Sequence, residues 1–343
     1  MAIYIFLATF FGLLAIFNVR SDLLSFFAFL ILFFISGSRF FVGSDYKNYY
    51  NVYIDFPKDS FPEPFFNYLI VIFKWIGFGP QSLFLFISFL TILFVFLAIR
   101  NAGVSIWLAL FLFVSTRGYF DSFNIVRQYL VVVIMLYAIK YLADKRNLTF
   151  FVVTVVCIFI HMSAFFYFLF FLFLSRTYST TFWFLAVLLS TLSIKFNFIP
   201  FHLIPSFYQA YVGTSHFQAS EFSGIGLGFI MFNLIALSVA FYYSKLSMNK
   251  KMVPYLNMYL VGAVVQNLSF QAIIFRRLSV ALLVAQIIVI PYMVSRVKRP
   301  EHVFWVRCFV VILFLMLFFR GIQVDFNYLE YESMFFSLFA SAL

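Results

Sequence analysis

The 343-residue chain is 65% hydrophobic and only 10% charged, against about 45–50% and 25% for a soluble domain. With a mean hydropathy of +1.04, a chain of this length has too little interior to hide its apolar residues from water, which excludes a soluble enzyme and predicts an all-α, polytopic integral membrane protein. The net charge of +11 is that of lysine- and arginine-rich cytoplasmic loops, and no basic soluble domain is present to bind nucleic acid.

In chain order, apolar runs of spanning length fall near 2–18, 23–38, 82–99, 104–116, 125–143, 181–198, 224–244, 254–270, 278–295 and 303–319. No positive charge precedes the first run and Arg20 follows it, the wrong polarity for a cleavable signal peptide. Residues 65–79 are ambiguous, being short, carrying Lys74 and ending in Gly77-Phe-Gly79-Pro80. So are residues 148–175, too long for one ordinary span and interrupted at His161-Met-Ser163. Loop charge arbitrates. The basic clusters at 140–146, 245–251 and 296–299, with Arg20, Arg100 and Arg176, share one side if 65–79 is re-entrant or interfacial and 148–175 is two short helices turning near His161. About twelve crossings follow, with both termini outside and 1–343 forming a single multi-pass domain. Cys157 and Cys308 lie inside apolar runs and read as small core residues.

The outer face then holds loops 39–64, 117–124, 199–223 and 271–277, the turn at 161–163 and the tail 320–343. Arg39, Arg117, Arg127, Arg276 and Arg277 stand there against the orientation rule, so topology does not account for them. An arginine at bilayer depth costs about 2.5–3.5 kcal/mol even on the low side. Arg127 falls in the first turn of a helix that Asn124 is placed to cap, and Arg276 and Arg277 immediately precede the helix at 278–295. Helix N-termini expose N–H groups and partial positive charge, and arginine adds a planar fork that fits phosphate. The two helix starts predict a pyrophosphate clamp, with Arg117 and Arg39 as further candidates. The competing reading pairs these arginines with Asp121, Asp45, Glu221 or lipid headgroups for structure alone.

His161 breaks an apolar run on the same face. It is either a satisfied core histidine or a general base with a pKa near neutrality. His202 and His216, in the 199–223 loop, are weaker candidates. Asp45 precedes Tyr46, Tyr49, Tyr50 and Tyr53. A carboxylate beside tyrosines suits sugar hydroxyls, though an interfacial aromatic belt is the simpler account of the tyrosines. No P-loop, dinucleotide fingerprint, HExxH or paired-cysteine motif occurs, the four histidines are scattered, and an Asp-x-Asp motif is missing. No metal or cofactor is expected.

Several segments, in order, resemble the EpsG-type branch of the bacterial Wzy polysaccharide polymerases. They are Arg39-Phe-Phe-Val-Gly43-Ser-Asp45-Tyr46…Tyr49-Tyr50, Glu63-Pro64-Phe65-Phe66, Asn124-Ile-Val-Arg127-Gln128-Tyr-Leu, Phe159-Ile-His161-Met-Ser163-Ala164 and Phe275-Arg276-Arg277. The likeness runs from about residue 1 to 335, and the tail at Tyr328…Tyr331-Glu332 lacks the Pro-Tyr expected there. The resemblance implies a multi-pass glycosyltransferase of the plasma membrane. It would polymerise undecaprenyl-pyrophosphate-linked oligosaccharide units on the outer face, in O-antigen, capsule or exopolysaccharide synthesis. Arg127, Arg276 and Arg277, with Arg117, Arg39, Gln128, Tyr46 and Tyr50, would bind pyrophosphate and glycan, and His161 or Asp45 would take the acceptor proton. The lipid-linked glycan and the bilayer are the expected partners, with a chain-length regulator as a candidate third. The competing classes are a flippase for the same lipids, which needs charges along a path through the membrane, and a membrane acyltransferase, which has less use for several outer arginines.

Overall fold

The computed structural model describes residues 2–193, 226–269, 274–324 and 331–334. Among them every regular element is a helix, and the single β-type pairing is an isolated bridge between Arg39 and Ser333. The apolar runs become helices because, away from water, a segment must bond its own backbone groups. The first half comprises α1 (Ala2–Phe17), α2 (Asp22–Gly37), α3 (Tyr46–Asp55), α4 (Pro64–Ile76), α5 (Gln81–Ala102), α6 (Ile106–Ser115), the short α7 (Gly118–Asn124) and α8 (Val126–Ala143). The second comprises α9 (Asn147–Ile160), α10 (Phe166–Leu174), α11 (Thr180–Leu192), α12 (Leu227–Phe241), α13 (Val253–Leu268), α14 (Ile274–Leu283), α15 (Gln286–Ser295) and α16 (Pro300–Val324).

One ambiguous stretch divides as expected, and the other is a single short helix. The 148–175 run is α9 and α10, separated by extended His161 and a 3₁₀ turn over Met162–Phe165. The 65–79 stretch is α4, and its C-terminal end stays beside α3: the Tyr53 hydroxyl donates to the Phe78 carbonyl at 2.6 Å, and Lys74 Nζ donates to the carbonyls of Ile54 and Phe56. The helix expected at 278–295 is instead two, α14 beginning at Ile274 and α15, bent by 40° at the break between them. Pro291, inside α15, is not where the bend falls.

Polar bonds define two ends of the bundle. At one end the Ser105 hydroxyl meets Asn18, the Trp107 indole donates to the Val19 carbonyl and Arg100 pairs with Asp22 at 3.3 Å. Farther round, the Tyr243 hydroxyl donates to Asn257 and that of Tyr292 to the Leu246 carbonyl. This end carries the basic loops. At the other end α3 lies across helix starts, and the segment 331–334 straps the end of α2: Phe40 N–H donates to the Glu332 carbonyl and Met334 N–H to the Ser38 carbonyl. The Tyr331 hydroxyl adds a bond to the Ile35 carbonyl at 2.8 Å.

Helix α8 is the hub. Two-thirds (67%) of its apolar window is buried inside the protein, against 22% for α16, whose apolar surface faces outward with Trp305, Phe309 and Met316 exposed. So much exposed apolar surface marks a membrane-embedded protein. By length and composition α5, α8 and α16 qualify as spans and the bent α14–α15 pair makes a fourth; the other apolar helices run 10–17 residues. Among the described residues helix length thus supports fewer crossings than the twelve expected. His202, His216 and Glu221 lie outside the described residues.

Candidate active site

The site is assembled around the first turn of α8. The loop from α2 to α3 passes flush against the α7–α8 junction: Gly43 has φ +98°, and a Cβ there would sit 2.6 Å from the Phe123 carbonyl oxygen, so only glycine allows the approach. Next to it, Ser44 N–H donates to Asn124 Oδ1 at 2.8 Å. Asn124 therefore anchors the loop; it does not cap α8, whose preceding residue is Ile125. The cap comes from α3 instead. The Asp45 carboxylate accepts the Val126 N–H, and the Tyr49 hydroxyl accepts the Arg127 N–H at 3.2 Å and its Nε–H at 3.1 Å. These groups satisfy N–H donors that a helix start leaves open.

Arg127 then reaches Glu63, the residue before α4, through Nη1 to Oε2. Its guanidinium lies 4.6 Å from the centre of the Phe61 ring. The other Glu63 oxygen accepts the Met162 N–H at 3.2 Å, tying α4 to the break after α9, and stands 4.0 Å from His161 Nε2. His161 Nδ1 accepts the Ser163 N–H at 3.1 Å and lies 2.8 Å from the Ser163 hydroxyl. With Nδ1 accepting, the neutral ring carries its proton on Nε2, facing Glu63. Gln128 Nε2 donates to the Arg277 carbonyl at 2.9 Å, bringing the start of α14 to the same place.

The electrostatics follow from burial and neighbours. Burial raises the Asp45 carboxyl above its usual range, with Arg277, Arg127 and Arg39 and the Val126 N–H opposing the shift. His161 is pulled down from 6.5 to about 4, chiefly by burial, with Glu63 opposing and Arg127 and Arg277 adding to the shift. At neutral pH the histidine is uncharged and its Nδ1 lone pair is occupied. Asp45 is a carboxylate of raised basicity. Of the two candidate bases, Asp45 is the one that carries charge at neutral pH, with its basicity raised.

The remaining predicted residues part company. Arg39 is only 1% exposed. Its guanidinium donates to the Ser36 carbonyl and lies between the Phe84 and Phe123 rings at 5.1 and 4.8 Å. It joins α2, α5 and α7, and among the described residues no carboxylate lies within ion-pair distance of it. Tyr46 is buried, stacked on Phe84 with ring centres 4.2 Å apart, and its hydroxyl donates to Gln81; its ring is core and not a sugar platform. Tyr50 is half-buried and stacks on Tyr46. Arg276 and Arg277 are exposed and sit inside the first turn of α14, not before a helix. Arg117, with left-handed φ +70°, lines a neighbouring cavity together with Arg276 and Asp121. In the sequence Tyr49 stood only among a run of tyrosines and Glu63 only within a family segment, and neither was assigned a place in the site. The signal for Glu63 was an acid set directly before an apolar helix, which membrane depth makes costly without a partner. Among the described residues no three His, Cys, Asp or Glu side chains gather as metal ligands would.

An all-α, membrane-embedded protein with a carboxylate, an arginine pair and a neutral histidine drawn together at one end has the makings of a glycan-transferring enzyme. The EpsG family model matches residues 22–333, nearly the whole chain, and the protein belongs to the EpsG family, whose members are Wzy-type polymerases. No curated protein and no solved structure matches the chain.

Proposed function

We propose that the protein joins oligosaccharide repeat units, each carried on undecaprenyl pyrophosphate, into polysaccharide at the outer face of the bacterial plasma membrane. One observation carries this reading. Asp45, Glu63, Arg127, His161 and Arg277, from five separate stretches, meet at the end of the bundle opposite the basic loops. If the basic loops are cytoplasmic, that end faces outward. This reading takes α1, α2, α5, α6, α8, α9, α10, α11, α12, α13, the α14–α15 pair and α16 as the twelve crossings, and α4 as a segment that returns to the face it leaves.

In the proposed reaction the acceptor sugar hydroxyl gives its proton to Asp45 while its oxygen bonds the anomeric carbon of the donor glycan. The bond from that carbon to the pyrophosphate oxygen breaks, and the carrier pyrophosphate leaves with the electron pair. Arg277 and Arg127 supply fixed positive charge where negative charge develops. His161 offers its Nε2–H as a hydrogen-bond donor, and Glu63 orients both His161 and Arg127. Asp45 then releases its proton to water.

The test is surface polysaccharide from cells carrying Asp45→Asn, Arg127→Lys or His161→Ala, run on a gel with protein levels measured in the same membranes. Each variant is expected to reduce the ladder toward single repeat units at normal protein level. An undiminished ladder in all three contradicts the assignment.

A further inference from the structure

Helix α3 carries four tyrosines, and their hydroxyls divide them. Tyr46 donates to Gln81, Tyr53 donates to the Phe78 carbonyl and Tyr49 accepts from Arg127; all three side chains are buried. Tyr50 is half-buried, and its hydroxyl has no hydrogen-bond partner among the described residues. Beside it lies Phe41, 51% exposed, with ring centres 5.9 Å apart. Lys47, Tyr50 and Asn51, spaced i, i+3 and i+4, share one face of α3, and Lys47 and Asn51 are exposed.

The backbone holds Phe41 outward. Among the described residues Asn18, Phe41, Arg117 and Lys145 are the non-glycine residues with positive φ, and Phe41 is the only apolar one. Its φ of +53° is unfavourable for a bulky side chain. Its neighbours are fixed: the Phe40 N–H bonds the Glu332 carbonyl, and Val42 is buried. The left-handed residue between them turns an aromatic ring toward the outside, where exposure to water is unfavourable. A ring kept exposed at that cost is suited to being covered by a ligand. Lipid tails fit poorly, because the exposed residues of the adjoining loop and of the first turns of α3 are Ser44, Lys47, Asn48 and Asn51. Paired aromatic rings edged with a hydroxyl, an amide and an ammonium group suit a pyranose. Its C–H face stacks on a ring while its rim of hydroxyls takes hydrogen bonds. Asp45 lies in the chain between the two aromatic residues, directly before α3, and Tyr50 is about 7–8 Å farther along the helix axis. A sugar on this ledge is therefore a neighbour of the reacting one in the same chain. Of the two substrates the growing chain is the longer, and its far sugars extend into water.

We propose that Phe41 and Tyr50 form a sugar-stacking subsite that holds the growing glycan beside the reaction centre, with Lys47 and Asn51 bonding its hydroxyls. This rests on the polymerase reading. The test uses full-length protein in nanodiscs and carrier-free fragments of the cells' own surface polysaccharide, released by mild acid and graded by length. Binding is read by titration calorimetry, with empty nanodiscs as blank. The unaltered protein is expected to bind fragments longer than a single repeat unit. Phe41→Gly, which relieves the backbone while removing the ring, and Tyr50→Ala each weaken that binding about three- to tenfold. Phe41→Trp, which keeps a stacking surface, retains it. Trp305→Ala, at an exposed aromatic near the basic loops, leaves it unchanged. No binding of fragments by the unaltered protein, binding unchanged in both Phe41→Gly and Tyr50→Ala, or equal weakening in Trp305→Ala overturns the subsite and leaves the rings to the membrane interface. The two ideas fail separately: an undiminished ladder in Asp45→Asn removes the polymerase reading, whereas unchanged fragment binding in Phe41→Gly and Tyr50→Ala removes only this one.

Discussion

Glu63 and Arg127, 64 residues apart, form an ion pair whose side chains are 9% and 18% exposed. The pair couples three pieces of the site, because Glu63 also holds the Met162 N–H beside His161. Removing one partner of a buried pair leaves the other uncompensated, at a cost of about 3–5 kcal/mol. Glu63→Ala should therefore lower the unfolding temperature of the purified protein clearly and also shorten the polymer. Arg127→Lys keeps the charge but cannot bond Glu63 and Tyr49 at once, and is expected to retain the fold with a reduced ladder. A Glu63→Ala protein as stable as the unaltered one would remove the pair from the account.

The pH dependence separates the two candidate bases. Asp45 is raised by burial, so its proton-accepting form is lost as pH falls through a value above the usual carboxylate range. In a reconstituted assay the acid limb of the rate should persist in His161→Gln, at a lower plateau, and the rate should vanish in Asp45→Asn. Disappearance of the limb in His161→Gln would hand the role to the histidine.

His161 also links pH to stability. Its folded pKa is depressed from 6.5 to about 4. Between those values the unfolded chain binds the proton and the folded chain does not, so stability falls as pH falls through that window. The unfolding temperature should drop between pH 7 and pH 5, and drop less in His161→Gln.

Gly43 tests how closely the α2–α3 loop must lie on α8. Alanine there takes on both a left-handed backbone and an overlap with the Phe123 carbonyl oxygen, of order 1–3 kcal/mol. Gly43→Ala should displace Ser44 from Asn124 and Asp45 from the start of α8, losing polymer out of proportion to any loss of protein in the membrane.

Much of the architecture was legible because hydropathy and loop charge are local properties. The helical runs and the break at His161 follow from them. The partners were not, because they join distant segments. Arg39 and Arg127 are both arginines beside apolar runs, yet one is packed between Phe84 and Phe123 and the other meets an acid. Asn124 stood at the right position to cap α8 but bonds Ser44, and the cap arrives from Asp45 and Tyr49 on another helix. Arg39→Gln is accordingly expected to lower stability and membrane abundance, with the polymer made per surviving protein unchanged.

The most direct measurement of the central claim uses purified protein reconstituted with a synthetic repeat unit on a polyprenyl pyrophosphate carrier. Polymer length and released carrier pyrophosphate are followed together. The account predicts one carrier pyrophosphate freed per glycosidic bond formed, with both products lost in Asp45→Asn. Release without polymer, or polymer at the unaltered rate in Asp45→Asn, would contradict it.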